Sequence, residues 1–410
     1  MQSSILGLTI AASARYHTAR AYYSILLKLK LAVFVITILL LPLIGSQKGQ
    51  TVLAQTSAAS QRALLNKHNE ARLMILGGYP GTTYFNLVHD MAAVLVGSDD
   101  LRLIAVDARG GLESLRDLLL LRGVDLAVVP ENVLEYADAT ASFGPGLRER
   151  LTYITQLYGE EVHILGGPGT VSVENLRGKK IAVPPEDGNV EFTVRDLLRR
   201  LRVDAEVVKV AAADAIDDVQ SGTLAALVLM GGKPLRLVAG IPKDANLRLL
   251  ALPSTQALGD GYSPSSFRSD DYPALISDEQ TIETVSVNAV LVANNTAKSE
   301  ESNRRIARFI PAFFSSLSDL AGPQWHPKWS EVNLTATLNK WQRFPAAKEL
   351  LDKTLREQTA SVQRDFEAFL RATTPPGSPT RSPEERKQLF EEYVKWTRSA
   401  TGAPDRAARP

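Results

Sequence analysis

From residue 72 onward the chain alternates short apolar runs with longer stretches whose apolar positions recur every three or four residues. The first pair sets the pattern. Arg72-Leu73-Met74-Ile75-Leu76 suits a buried strand, and after a glycine-rich turn Leu87, Val88, Met91, Ala92 and Leu95 fall at helical spacing. Gly77, Gly78 and Gly81 permit positive φ and a close approach to the backbone, and the helix that begins after Thr82 and Thr83 presents unpaired N–H groups. Such an end attracts a carboxylate, phosphate or other acceptor, or is a structural turn capped by Thr82; both readings stand at this point.

The alternation continues with strand 101–106, a helix carrying Leu112, Leu115, Leu118 and Leu119, and strand 124–130, whose edge is Pro130-Glu131-Asn132. Strands 154–157 and 161–165 then leave this first unit. A second unit repeats the logic: strand 180–183, turn Pro184 to Asn189, helix 190–201, strand 205–208, helix 213–221 and strand 225–229, closed by Gly231-Gly232-Lys233-Pro234. A short strand is expected at 247–252, and the Ser, Gly, Asp and Pro content of 253–271 predicts a surface loop. The β-branched run 284–293 reads as a strand returning to the first unit, and helix 300–316 packs there through Ile306, Phe309, Ile310 and Phe313. Strands alternating with helices imply parallel sheets, with ligands beyond the strands' carboxyl ends. Two such units, with the chain crossing over and back, predict a two-lobed α/β clamshell that closes on a small molecule. The lobes are expected at 72–160 plus 275–333 and at 161–274.

Composition narrows the classes of function. The chain has 410 residues, 46 Lys and Arg against 45 Asp and Glu, and no basic run, which argues against nucleic-acid binding by phosphate neutralisation. The lack of cysteine excludes thiol catalysis, cysteine-ligated zinc, disulfides and a lipidated cysteine, and the five scattered histidines do not suggest a metal site. Arg15, Arg20, Lys28 and Lys30 precede the apolar run 31–44, and Val52-Leu53-Ala54 follows with small-residue cleavage chemistry. Residues 1–54 therefore read as a signal peptide or an N-terminal anchor, and the run is shorter than the roughly 20 residues a spanning helix needs. At the other end, 334–372 predicts a long amphipathic helical extension, 373–383 a Pro/Ser/Thr linker, and 384–410 a helix with Leu389, Tyr393 and Trp396 on one face, followed by a tail.

Several stretches, in order, resemble the solute receptors of tripartite ATP-independent periplasmic (TRAP) transporters of the immunogenic-protein (TAXI) type. They are Leu76-Gly77-Gly78-Tyr79-Pro80-Gly81-Thr82-Thr83-Tyr84-Phe85, Gly123-Val124-Asp125-Leu126-Ala127-Val128-Val129, Leu176-Arg177-Gly178-Lys179-Lys180-Ile181-Ala182-Val183, Leu229-Met230-Gly231-Gly232-Lys233-Pro234, and Thr284 to Val292, with His326-Pro327 near the end. The resemblance implies a type II periplasmic-binding-protein fold and extracytoplasmic capture of a small organic solute, an amino acid or carboxylate, for delivery to membrane transporter subunits. It implies no cofactor, no metal and no nucleic acid. The corresponding cleft residues are Gly81, Thr82, Thr83, Tyr84, Glu131, Asn132, Gly188, Asn189, Val190, Glu191, Gly232 and Lys233. One departure stands out. The second-lobe turn carries Glu186, Asp187 and Glu191, and these acids either repel an anionic solute in favour of a neutral or cationic one or simply face solvent, with Lys233 available to offset one. Two other classes remain: an enzyme on the same fold, which no nucleophile or metal constellation supports, and a membrane-tethered sensor or scaffold that keeps residues 31–44.

Overall fold

The computed structural model describes residues 60–64, 72–96, 101–253, 258–259, 261–295, 300–373 and 382–400. The expected export or anchor segment 1–54, most of the 373–383 linker and the tail beyond 400 lie outside them. The chain divides into two compact units, Met1–Asn69 and Glu70–Pro410. Of the first, residues 60–64 form a short exposed helical turn. All that follows concerns the second.

Its first lobe is built from β1 (Arg72–Leu76), α1 (Thr83–Val94), β2 (Arg102–Val106), α2 (Gly111–Leu120), β3 (Leu126–Pro130) and α3 (Glu131–Ala139). The strands pair in parallel in the order β2-β1-β3. After α4 (Leu147–Arg150) and the long β4 (Leu151–Gly166) the second lobe repeats this order. It contains β5 (Lys180–Val183), α5 (Gly188–Leu201), β6 (Glu206–Lys209), α6 (Ala212–Gln220) and β7 (Ala226–Gly231), with β5 between β7 and β6, again parallel. Short α7 (Arg236–Ala239), β8 (Arg248–Leu249) and β9 (Ser263–Phe267) lead to β10 (Ile282–Asn294). Two strands join the halves: β10 runs antiparallel to β3 and β4, and β4 antiparallel to β7. Each parallel set thus receives, next to its third strand, an antiparallel strand arriving from the other half. This is the two-lobed α/β topology of type II periplasmic binding proteins.

Period-two alternation places the cores. Leu73, Ile75, Leu126 and Val128 face α1 and α8 (Glu300–Ser315), whose Ile306, Phe309, Ile310 and Phe313 are buried as their spacing predicts. Leu76, Ala127 and Val129 turn to the opposite layer with Leu115, Leu118 and Leu119. Asp125, at the entry to β3, pins α8 to this sheet: it accepts from the Met74 N–H at 3.0 Å, Ser302 Oγ at 2.5 Å and the Arg305 guanidinium at 2.8 Å. Truncating Asp125 leaves the nearly buried Arg305 guanidinium with the half-exposed Glu301 as its remaining carboxylate partner, at 2.7 Å. Asp125→Ala is expected to lower stability by about 3 kcal/mol in urea denaturation.

Four local expectations are corrected. The strands expected at 154–157 and 161–165 are one strand, β4, because β10 pairs with it from Leu151 to Glu161 and carries it through the polar Gly159-Glu160-Glu161. The stretch 253–271 is not wholly loop. It contains β9, which covers the Ile282–Ser286 half of β10, on the side where β3 does not reach. The strand expected at 247–252 shrinks to Arg248 and Leu249, and residues 131–139, expected only as a strand edge, form α3.

The helical C-terminal region is present. Its approach docks on the first lobe: Tyr153 donates to Gln342 O at 3.0 Å, Phe344 N returns to Tyr153 O at 2.8 Å, and Trp341 and Phe344 enter the two core layers. After the short α9 (Leu317–Leu320), α10 (Pro345–Thr373) runs out from this docking point, and α11 (Pro383–Ala400) packs on it through Phe390 against Phe366, and Tyr393 against Phe366 and Phe369.

Candidate functional site

Parallel strands end where the two lobes meet, so the turns after β1, β3, β5 and β7 gather at one seam. The first is held by its own residues. Thr82 caps α1, accepting from Phe85 N at 3.2 Å and donating to Tyr79 O at 2.8 Å, so for Thr82 the capping role is fulfilled. Gly81 takes φ +96° and is exposed. Thr83 and Tyr84 point inward. Thr83 Oγ1 accepts from Gly232 N at 3.1 Å in the other lobe, and the Tyr84 hydroxyl donates to Glu160 Oε2 at 2.6 Å.

The facing turn belongs to α5. Asp187 is its cap, with Oδ1 accepting from Asn189 N at 3.0 Å and Val190 N at 3.3 Å. Gly188 N donates to Arg109 O at 3.0 Å, and Asn189 Oδ1 accepts from Gly111 N. Gly110 and Gly111 hold φ of +76° and +57°, and a Cβ on Gly110 would lie within 3 Å of the Asn189 amide, so glycine is needed there for conformation and for room. A third contact joins Asn132 Nδ2 to Thr193 Oγ1 at 2.9 Å, beside Tyr262, whose hydroxyl donates to Asp196 at 2.9 Å. The lobes therefore touch along the whole seam. The starts of α1 and α5 share it without being each other's direct partners: Thr83 meets Gly232, and Gly188-Asn189 meets Gly110-Gly111.

The other expected site residues are distributed as follows. Val190 lies in the second-lobe core. Glu191 is neutralised by Lys209 at 2.8 Å and Arg195 at 3.1 Å and, with Gly188, Gly110, Arg109 and Phe192, lines a pocket of about 260 Å³ at the seam. Glu131 accepts from Asn288 Nδ2 at 2.7 Å. The Lys233 ammonium pairs with Asp271 at 3.3 Å, so it does not offset the acids of the α5 turn. Those acids split: Glu186 is exposed, Glu191 is paired, and only Asp187 is buried.

Sequence reasoning missed the floor of the seam. Where β4 passes between lobes it places Tyr158, Glu160 and Glu161 inside the protein, all under 5 % exposed. Glu161 accepts from the Lys328 ammonium at 2.8 Å and from Lys233 N at 3.0 Å. Lys328 also binds Glu331 at 2.7 Å, and its stem lies against Gly232, where any Cβ would collide with it. Burial pushes the Glu161 carboxyl up and Lys328 pulls it back. Glu160 has no such ammonium bound to it; burial and the Asp187 charge hold its carboxyl well above the usual range, with Tyr84 opposing. The available signal was two adjacent carboxylates inside an otherwise apolar run.

Burial also raises Asp187, to about 6, against the pull of the Val190 and Asn189 N–H groups. Between its usual 3.8 and about 6 only the folded protein keeps this proton, so stability rises as pH falls through that window. Asp187→Asn retains the cap and removes the titration. Its stability relative to wild type, followed by urea denaturation from pH 7 to pH 4, is expected to lose a slope worth up to about 3 kcal/mol.

The fold and this seam define the class: a two-lobed protein of the periplasmic solute-binding type. The chain belongs to the NMT1-like family, which it matches over residues 75–341. No curated protein matches it by sequence. Among solved structures it is similar to a protein of Bordetella bronchiseptica RB50, at 13 % identity and TM-score 0.41, over 80 % of this chain and 99 % of that one. It is also similar to the amino acid ABC transporter substrate-binding protein AbpA of Streptococcus pneumoniae bound to L-arginine, at 12 % identity and TM-score 0.36, over 64 % of this chain and 92 % of that one. The LysR-family regulator CbnR in complex with its target DNA is similar at 12 % identity and TM-score 0.36, over 66 % of this chain and 78 % of that one.

Proposed function

We propose that the protein is an extracytoplasmic solute receptor of the TAXI type that closes its lobes on a small organic solute and delivers it to a TRAP transporter. The observation that carries this reading is the convergence of strand-end turns and helix starts from both lobes on one seam spanned by the hinge strands β4 and β10. The ordered glycine-turn stretches support the TAXI assignment within the wider family. On this reading the lobes are 72–160 plus 275–333 and 161–274, the segment 1–54 serves export or tethering, and the protein performs no chemical step. The solute is held by Thr83, Tyr84, Asn132, Gly188, Asn189 and Gly232, the expected residues that reach the seam. A thermal-shift panel of amino acids, carboxylates, amines and sugars tests it: one chemical class is expected to raise the melting temperature with single-site saturation. A flat panel, with nothing released from the purified protein on denaturation, would refute it.

A further inference from the structure

We propose that the solute carries a positively charged nitrogen group, an ammonium or guanidinium, and that Glu160 and Asp187, with the hydroxyl of Tyr158 and the carbonyl of Asn132, are its recognition groups. The proposal rests on the receptor reading above and names the chemistry of the same site.

Four observations converge. Glu160 is 1 % exposed and its bonded partner is the Tyr84 hydroxyl, a neutral donor at 2.6 Å. The buried ammonium nearest to hand, Lys328, is committed to Glu161 and Glu331, and Lys233 to Asp271. Asp187 is 5 % exposed and close enough for its charge to act on Glu160, Tyr84, Tyr158 and Tyr79. Two carboxylates thus share one buried region, and a buried charge left unpaired is costly.

Independently of the acids, two buried polar atoms at this seam make no hydrogen bond of good geometry among the described residues: the Tyr158 hydroxyl, 3 % exposed with the Thr83 hydroxyl beside it, and Asn132 Oδ1, also 3 % exposed. Strand register relates them. Pro130 and Tyr158 both pair with Ala289 of β10, which puts the end of β3 about 10 Å from the Tyr158 backbone, two inter-strand spacings. Buried groups of this kind are normally satisfied, and these two offer acceptors to a donor-rich solute. An organic cation supplies both charge and N–H donors. A metal ion fits less well, since among the described residues no group of three His, Asp or Glu side chains is placed to hold one. An anion would add charge to Glu160, Asp187, Glu161 and Glu186 against the buried Lys328 and the exposed Arg109, which reaches Pro185 O at 3.2 Å and pairs with Glu113.

The proposal also fixes a proton count. Tyr79, Tyr84, Tyr158, Glu161, Glu186 and Lys328 surround the two carboxyls, with Arg109 facing the turn from the first lobe at Pro185 O; of these Lys328 and the exposed Arg109 are cationic. A bound cation therefore ionises carboxyls that otherwise hold protons, and those protons leave for solvent.

The test uses the purified full-length protein. The molecule released on denaturation is identified by mass spectrometry, and the stripped protein is titrated calorimetrically with L-arginine, agmatine and choline against succinate and D-glucose. Expected are a released solute with a basic nitrogen, heat from a cationic probe alone, a binding heat that varies with the buffer's ionisation enthalpy near pH 5.5 because protons are released, and affinity that rises up to about 10-fold per pH unit for each proton released between pH 5 and 6. Glu160→Gln is expected to weaken the cation at least about 10-fold. Tyr158→Phe, which removes a hydroxyl that makes no well-formed hydrogen bond in the protein, is expected to weaken it while changing the melting temperature little; a merely structural hydroxyl would leave binding intact. Binding or release of a neutral or anionic solute overturns this inference and leaves the receptor reading standing. No release and no binding overturns both.

Discussion

Lys328→Met is expected to destabilise the protein by about 3–5 kcal/mol, the largest loss of any single substitution considered. Lys328 is 1 % exposed and bridges Glu161 to Glu331, so its removal leaves the Glu161 carboxylate, itself 4 % exposed, inside the protein with only the Lys233 N–H and a distant Ser265 hydroxyl for company. Methionine keeps most of the stem that covers Gly232, so the loss reports charge rather than volume. Urea denaturation at pH 7 checks it. Adding Glu161→Gln should restore most of the stability, because the uncompensated charge goes with it; a double-mutant cycle that shows simple additivity would remove the ion pair from the account.

Gly188→Leu is expected to reduce solute affinity on the order of 100-fold while changing stability by less than about 1 kcal/mol. A Cβ at Gly188 would stand 3.2 Å from Arg109 O, a backbone atom of the first lobe that cannot move aside as a side chain would, and in ordinary contact with Gly110 O at 3.5 Å, leaving no room for a longer side chain on that side. Leucine extends that obstruction and displaces the Gly188 N–H bond to Arg109 and the Asn189 bond to Gly111. Within its own lobe the substitution is benign: residue 188 opens α5 with negative φ, and leucine is the better helix former. The variant should fold, remain open, and show a larger radius of gyration than wild type in small-angle scattering.

These consequences were only partly legible in the sequence. Period-two and period-3.6 patterns placed β1, β3, α1, α5 and α8 within a few residues, because each buries one regular stripe against one neighbour. β4 was divided in two because Gly159-Glu160-Glu161 interrupts the apolar run. What keeps it a strand is pairing with β10, some 125 residues away, which no local pattern contains. β9 hid for a related reason: Ser263-Pro264-Ser265-Ser266-Phe267 has turn composition and becomes a strand because an edge needs covering.

The seam was legible as a set of turns and illegible as a pairing. The glycines flagged the starts of α1 and α5, yet which of them face one another depends on how the lobes close. That brings Gly110-Gly111, read only as the opening of α2, against Asn189. The acidic α5 turn posed two alternatives, and the structure gives a different answer for each residue: solvent for Glu186, the seam for Asp187, and Lys209 with Arg195 for Glu191. Lys328 was out of reach, because a lysine after His326-Pro327 carries no mark of burial until Glu161 and Gly232 are placed beside it.

The central claim is that the seam between the lobes captures a small molecule by opening and shutting. It is tested most directly by mass spectrometry of what wild type and Gly188→Leu, purified identically, release on denaturation. The account predicts one small organic molecule at near one-to-one stoichiometry from wild type and little or none from the variant; equal amounts from both, or none from either, would contradict it.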